Sequence, residues 1–165
     1  MTEPSKKTFI KLGYSHLDTA EIVTLLNRLL SSYSLHQHNL RNFKWNIEGA
    51  EFIELTRLFG RMQMKSINEI DKIAERIRLL GQQPVTLFKE YQKLSVIEEK
   101  RIGLTPFEMV NEILEDIRQL RESIDVTIRA AKKINDHGTE FMLQSFIYQL
   151  EIDHGILTAW TRPKA

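Results

Sequence analysis

The chain has 165 residues, 42% of them hydrophobic and 27% charged, with a formal net charge of +1. That length suits one compact domain with a proper core, and the composition is ordinary for a soluble globular protein. The near-neutral balance argues against a surface that binds nucleic acid all over, and zero cysteines exclude disulfides, thiolate metal sites and cysteine nucleophiles.

No run of about 18 apolar residues is present, so no membrane-spanning helix is expected. The first residues, MTEPSKKTFIKLGY, carry lysines but no apolar stretch of the kind a secretory signal needs. A cytoplasmic location is the expectation. Residues 1–17 read as a flexible tail, in which Lys6, Lys7 and Lys11 stand against the lone Glu3.

Residues 18–165 read as an all-α domain. The first helical pattern opens at Asp18 with Glu21 three residues later, a capping-box spacing. Its apolar stripe runs through Ile22, Leu26, Leu29, Tyr33, Leu40, Phe43 and Ile47, in helical steps. Gly49 interrupts it. The second pattern carries Phe52, Leu55, Phe59, Met62, Ile70, Ile73, Ile77 and Leu80, and stops at Gly81 with Pro84 beyond.

Residues 84–100 form the longest connection, with a short helix expected from LFKEYQKL and SVIEE. Thr105, Pro106 and Glu108 supply a cap, a first-turn proline and a box-closing carboxylate. The third stripe follows through Val110, Ile113, Ile117, Leu120, Ile124 and Ala131 and shows no acidic residue. After a turn at residues 135–138, the fourth carries Leu143, Ile147, Leu150 and Leu157 toward Trp160. Four long helices with one long crossover make a four-helix bundle.

One stretch carries more than periodicity. Residues 42–49 read Asn-Phe-Lys-Trp-Asn-Ile-Glu-Gly, and residues 71–76 read Asp-Lys-Ile-Ala-Glu-Arg. Together they resemble the signature of the Dps family, small dodecameric ferritins that oxidise and store iron and often coat DNA. The resemblance implies a ferritin-like bundle, a homododecamer, iron as the metal and an oxidation centre shared between two subunits. In that family one subunit supplies a histidine from the end of its first helix, then a histidine and an acidic residue from its second. The other supplies an aspartate and a glutamate four residues apart.

Asp71 and Glu75 match the acidic half and share one helix face. The other half departs from the pattern: Lys44 stands where the first histidine belongs, Thr56 at the second, and Gly60 at the acidic position. Iron(II) takes oxygen and imidazole donors, whereas a lysine at neutral pH is protonated and has no lone pair to give. The reading is that Lys44 pairs with Asp71 and Glu75 across the dimer, while Thr56 and Gly60 form a small-residue face that either admits its long side chain, lets two helices approach closely, or is mere decay after the ligand was lost. The bland alternative is a Lys44 that points into solvent. Trp45 belongs beside the site as a structural residue.

By the same resemblance, the three-fold pore positions fall on Lys132, His137 and Phe141, with Asp136 or Glu140 as acids that face the channel instead. The lysines of the tail become candidate DNA contacts, repeated over the shell. A weaker metal set is His36, Glu151 and His154. Both histidines fall on apolar stripes, where a lone histidine is more often a hydrogen-bonded core residue than a ligand. Three functions stay open: a Dps-like shell with a degenerate ferroxidase centre, a working mini-ferritin with rearranged ligands, and a structural bundle with no iron role.

Overall fold

Ser15 starts the bundle. In the computed structural model, which describes residues 12–163, its hydroxyl accepts the backbone N–H of Asp18, and the Asp18 carboxylate accepts the N–H of Ser15 at 3.0 Å. Helix α1 (His16–Asn46) therefore begins ahead of Asp18, which closes the capping box instead of opening one with Glu21. Residues 16 and 17 lie in this helix, not in a tail.

Glycine turns the chain at Gly49, where φ is +101°, and α2 (Phe52–Leu79) runs back along α1. Its end is Gly81, again at positive φ. The short helix of the crossover is α3 (Phe88–Leu94), which lies against α1; the SVIEE segment stays outside it. Helix α4 (Pro106–Lys133) starts with the Thr105–Glu108 capping box, and α5 (His137–Thr161) follows. No strand occurs among the described residues.

The expected stripes are buried, from Ile22 through Ile47 on α1 and from Val110 through Ala131 on α4. Three positions differ. Phe52 is exposed at the start of α2, where α1 has already ended, while Ile70 and Ile147 are only partly covered.

Polar side chains of α1 hold the crossover in place. Asn27 accepts the N–H of Val85 and Ser32 that of Val96. Asn39 accepts the N–H of Lys100 and donates to the carbonyl of Glu98, and Asn42 donates to the carbonyl of Lys100. Beneath lies Asp116, fully buried and held by His36 at 3.3 Å, Asn39 at 3.0 Å and Lys100 at 3.4 Å. So α4 does carry a buried acid, one step from the apolar position Ile117 and compensated by these partners.

The α4–α5 turn is tied to α2 by Arg76. Its guanidinium donates to Asp136 at 2.5 Å and to Thr139 at 2.9 Å, while Asp136 also caps α5 through the N–H of Thr139. A Cβ on Gly138 would lie 2.9 Å from both terminal nitrogens of Arg76, so a side chain there would push the guanidinium off its bonds to Asp136 and Thr139. Asp136→Ala removes the cap and strands a nearly buried cation, at a cost of roughly 3–5 kcal/mol. Urea unfolding should show that loss for Asp136→Ala, a smaller one for Asp136→Asn, and destabilisation for Gly138→Ala.

Candidate functional site

Lys44 sits in the last turn of α1, beside the first turns of α2 because the chain reverses at Gly49. Its side chain lies across α2 at Gly60: a Cβ there would stand 3.6–3.7 Å from Cδ, Cε and Nζ of Lys44. The side chain is half-buried, and the ammonium is held against the helix.

Around it is an open hollow of about 1100 Å³, lined by Thr56, Arg57, Gly60, Arg61 and Lys65 as well as Lys44, with Glu54 its one acid. The Thr56 hydroxyl is buried and makes no hydrogen bond to a described residue. Neither Lys44, Arg57 nor Arg61 forms an ion pair with a described residue. The hollow is therefore a basic half-site whose three departed positions offer one neutral hydroxyl, that of Thr56, and no imidazole or carboxylate.

Asp71 and Glu75 lie near the other end of α2, exposed, in a second hollow of about 610 Å³ with Ala74, Arg78 and Leu79. They too lack an ion-pair partner among the described residues. Within one chain the acidic pair and Lys44 line separate hollows. Trp45 is 69% exposed, with the Arg41 guanidinium 5.2 Å from its ring centroid, a cation–π contact on the outside of α1.

The pore positions gather around Glu140. Lys132 pairs with it at 3.4 Å and His137 approaches it at 3.7 Å, while Phe141 is 77% exposed. Asp136 is fully buried as the partner of Arg76 and Thr139, so it is not a channel acid. Lys6, Lys7 and Lys11 lie outside the described residues.

His36, Glu151 and His154 do not form a site. His36 is buried against Asp116, whereas Glu151 is exposed at 3.6 Å from Arg121 and His154 is exposed beside Thr158. His154 thus faces away from the apolar stripe on which its spacing placed it, because α5 turns Asp153 inward instead.

Sequence spacing also missed a polar cluster between α1, α2 and α5. Glu69 and Asp153 are buried there with Tyr33, and Lys65 holds Asp153 at 2.9 Å. Burial first, and then the charge of Asp153, pushes the Glu69 carboxyl up to about 8, against the pull of Lys72 and Lys65. The signal was present: Glu69 follows Met62 and Ser66 and precedes Ile73 in helical steps, and Asp153 stands between Leu150 and Leu157.

The ferritin-like domain family matches residues 23–157, which defines the chain as a ferritin-like helical bundle. A curated relative, DNA protection during starvation protein 2 of Bacillus anthracis, is 30% identical over 85% of this chain and 96% of its own length. The crystal structure of the Dps protein of Vibrio cholerae O1 superposes with a TM-score of 0.89 at 26% identity, over 92% of this chain and 95% of that one. Dps from Bacillus brevis gives 0.87 at 26% identity, over 90% and 100%. Within the ferritin-like class, the chain belongs to the Dps family.

Glu69 makes stability depend on pH. The unfolded chain releases this proton near the ordinary value of 4.5, and the fold keeps it up to about 8. The folded state thus binds more protons across that window, so this group's contribution falls as pH rises from about 4.5 to about 8 and is constant above. Glu69→Gln should flatten that slope and leave the variant relatively more stable at alkaline pH, read by urea unfolding at acidic, neutral and alkaline pH.

Proposed function

We propose that this Dps-family chain forms a protective shell whose inter-subunit centre does not oxidise iron. The observation that carries the reading is the Lys44 side chain packed across Gly60, in a hollow whose other charged neighbours include Arg57, Arg61 and Lys65. Iron(II) would be the substrate, and its approach to such a cup meets fixed positive charge before it meets a ligand. Thr56 offers a neutral hydroxyl, a weak donor to iron(II) compared with imidazole or carboxylate, and Gly60 offers nothing. Asp71 and Glu75 alone would bind divalent ions weakly and without preference for iron.

The pore positions support the same reading. Lys132 and His137 flank Glu140, so a channel lined by this turn would draw cations far less than an acidic one. Protection without iron chemistry leaves association with DNA, which the names of the curated relatives suggest and which Lys6, Lys7 and Lys11, repeated over an assembly, would supply. A cytoplasmic dodecamer is part of this proposal.

Anaerobic loading with iron(II), followed by oxygen or peroxide, tests it. Oxidation should proceed at the rate of protein-free buffer and leave no ferric core in the protein. Fast protein-dependent oxidation with a retained core overturns the reading. For the DNA role, a gel shift should be present at low salt, fade as salt rises, and vanish when residues 1–11 are deleted; no shift at low salt removes that part.

A further inference from the structure

Methionine is unevenly placed in this chain. Met62 and Met109 are buried and Met142 is half-covered, while Met64 is 58% exposed, the one exposed methionine among the described residues. Met64 lines the basic hollow together with Lys44, Arg57, Gly60 and Arg61. It follows Gly60 by four residues on α2, and residues four apart on a helix are surface neighbours. A helical side chain also leans over the turn on its N-terminal side, which carries the Met64 thioether toward Gly60. There the Lys44 ammonium lies, 3.7 Å from where a Cβ of Gly60 would stand.

A thioether beside unpaired cations is set up to reduce a hydroperoxide. Its sulfur lone pair is a soft nucleophile that two-electron oxidants convert to the sulfoxide. The sulfur attacks the terminal oxygen of the hydroperoxide, so an S–O bond forms as the O–O bond breaks. The hydroxyl proton of the transferred oxygen passes to the leaving oxygen, giving water from hydrogen peroxide or an alcohol from an organic hydroperoxide. Sulfur loses two electrons and the peroxide gains them, so no metal or further reductant enters.

Negative charge grows on the leaving oxygen before its proton arrives. A fixed cation stabilises that charge without reorganising at the moment of reaction. Lys44, Arg57 and Arg61 all line the hollow, and none is ion-paired with a described residue. Lys65 is already committed to Asp153 at 2.9 Å. The open hollow of about 1100 Å³ admits so small an oxidant freely.

We propose that Met64 is a hydroperoxide-reducing side chain, activated toward selective oxidation by the cations of the hollow. This deepens the protective reading of the same site and rests on it for a hollow without bound iron. Each chain consumes one equivalent, because the sulfoxide ends the reaction until a separate reductase restores the thioether.

Peptide mass mapping of the full chain, held in chelator and exposed to dilute hydrogen peroxide or tert-butyl hydroperoxide, provides the test. Residue 64 should gain one oxygen at least about tenfold faster than free N-acetylmethionine amide, and ahead of Met62, Met109 and Met142. Lys44→Gln combined with Arg61→Gln should slow that gain to the rate of the free amide, with helicity unchanged. Arg57 and Arg61 are exposed, so Arg57→Gln with Arg61→Gln gives the same reading if Lys44→Gln perturbs folding. A faster gain with hydrogen peroxide alone narrows the substrate to it, and a gain with both keeps the whole class. Oxidation of Met64 at the free rate, wild-type oxidation in the charge-removed variants, or earlier oxidation of another methionine would each overturn the proposal. Iron oxidation on separately loaded samples divides the two claims. Fast iron(II) oxidation beside selective Met64 oxidation removes the functional reading alone, and an iron-inert protein whose Met64 reacts at the free rate removes this proposal alone.

Discussion

The proposed function depends on one positive charge laid against a helix. Lys44 ends α1, and the reversal at Gly49 lays its side chain along α2 where Gly60 leaves space. Had residue 60 carried a carboxylate, the ammonium would already have a partner in its own chain. With glycine there, the charge stays unpaired within the described chain and is available to whatever packs on that face. The absence of a side chain at position 60 lets the lysine lie along the helix.

The rest of the fold braces α2 at both ends. Arg76 is bound by Asp136 and Thr139 of the α4–α5 turn, one residue beyond Glu75, so the acidic end is braced from inside. At the basic end, Lys65 reaches Asp153 on α5. Behind both, Asn27, Ser32, Asn39 and Asn42 hold the crossover to α1, and Asp116 draws His36, Asn39 and Lys100 together. These buried and half-buried polar side chains are each hydrogen-bonded or ion-paired, so none of them is left uncompensated.

Periodicity made the bundle legible, because apolar stripes in steps of three and four leave little choice of element. It located the hairpin at Gly49 and the stop at Gly81, both glycines at positive φ. It misjudged the first helix start because two overlapping spacings, Ser15 to Asp18 and Asp18 to Glu21, both satisfy the capping pattern, and only the hydroxyl of Ser15 decides. The buried acids Glu69, Asp116 and Asp153 were readable as charges at stripe positions but pass unnoticed when only apolar residues are followed. The crossover latch was not legible, since its bonds join residues some sixty apart in sequence. At the site, the Lys44 side chain lies at Gly60, one of the uses that the sequence leaves open for the small residues there. The basic character of the whole hollow was not legible, because Arg57 and Arg61 look like ordinary solvated charges until Lys44 is placed beside them.

The most direct measurement is a high-resolution structure of the assembled protein prepared in excess iron(II) or zinc(II). The account predicts the Lys44 ammonium within ion-pair distance of Asp71 or Glu75 of the partner subunit, with no metal between them. A metal ion coordinated by those two carboxylates, with Lys44 turned out to solvent, would contradict it.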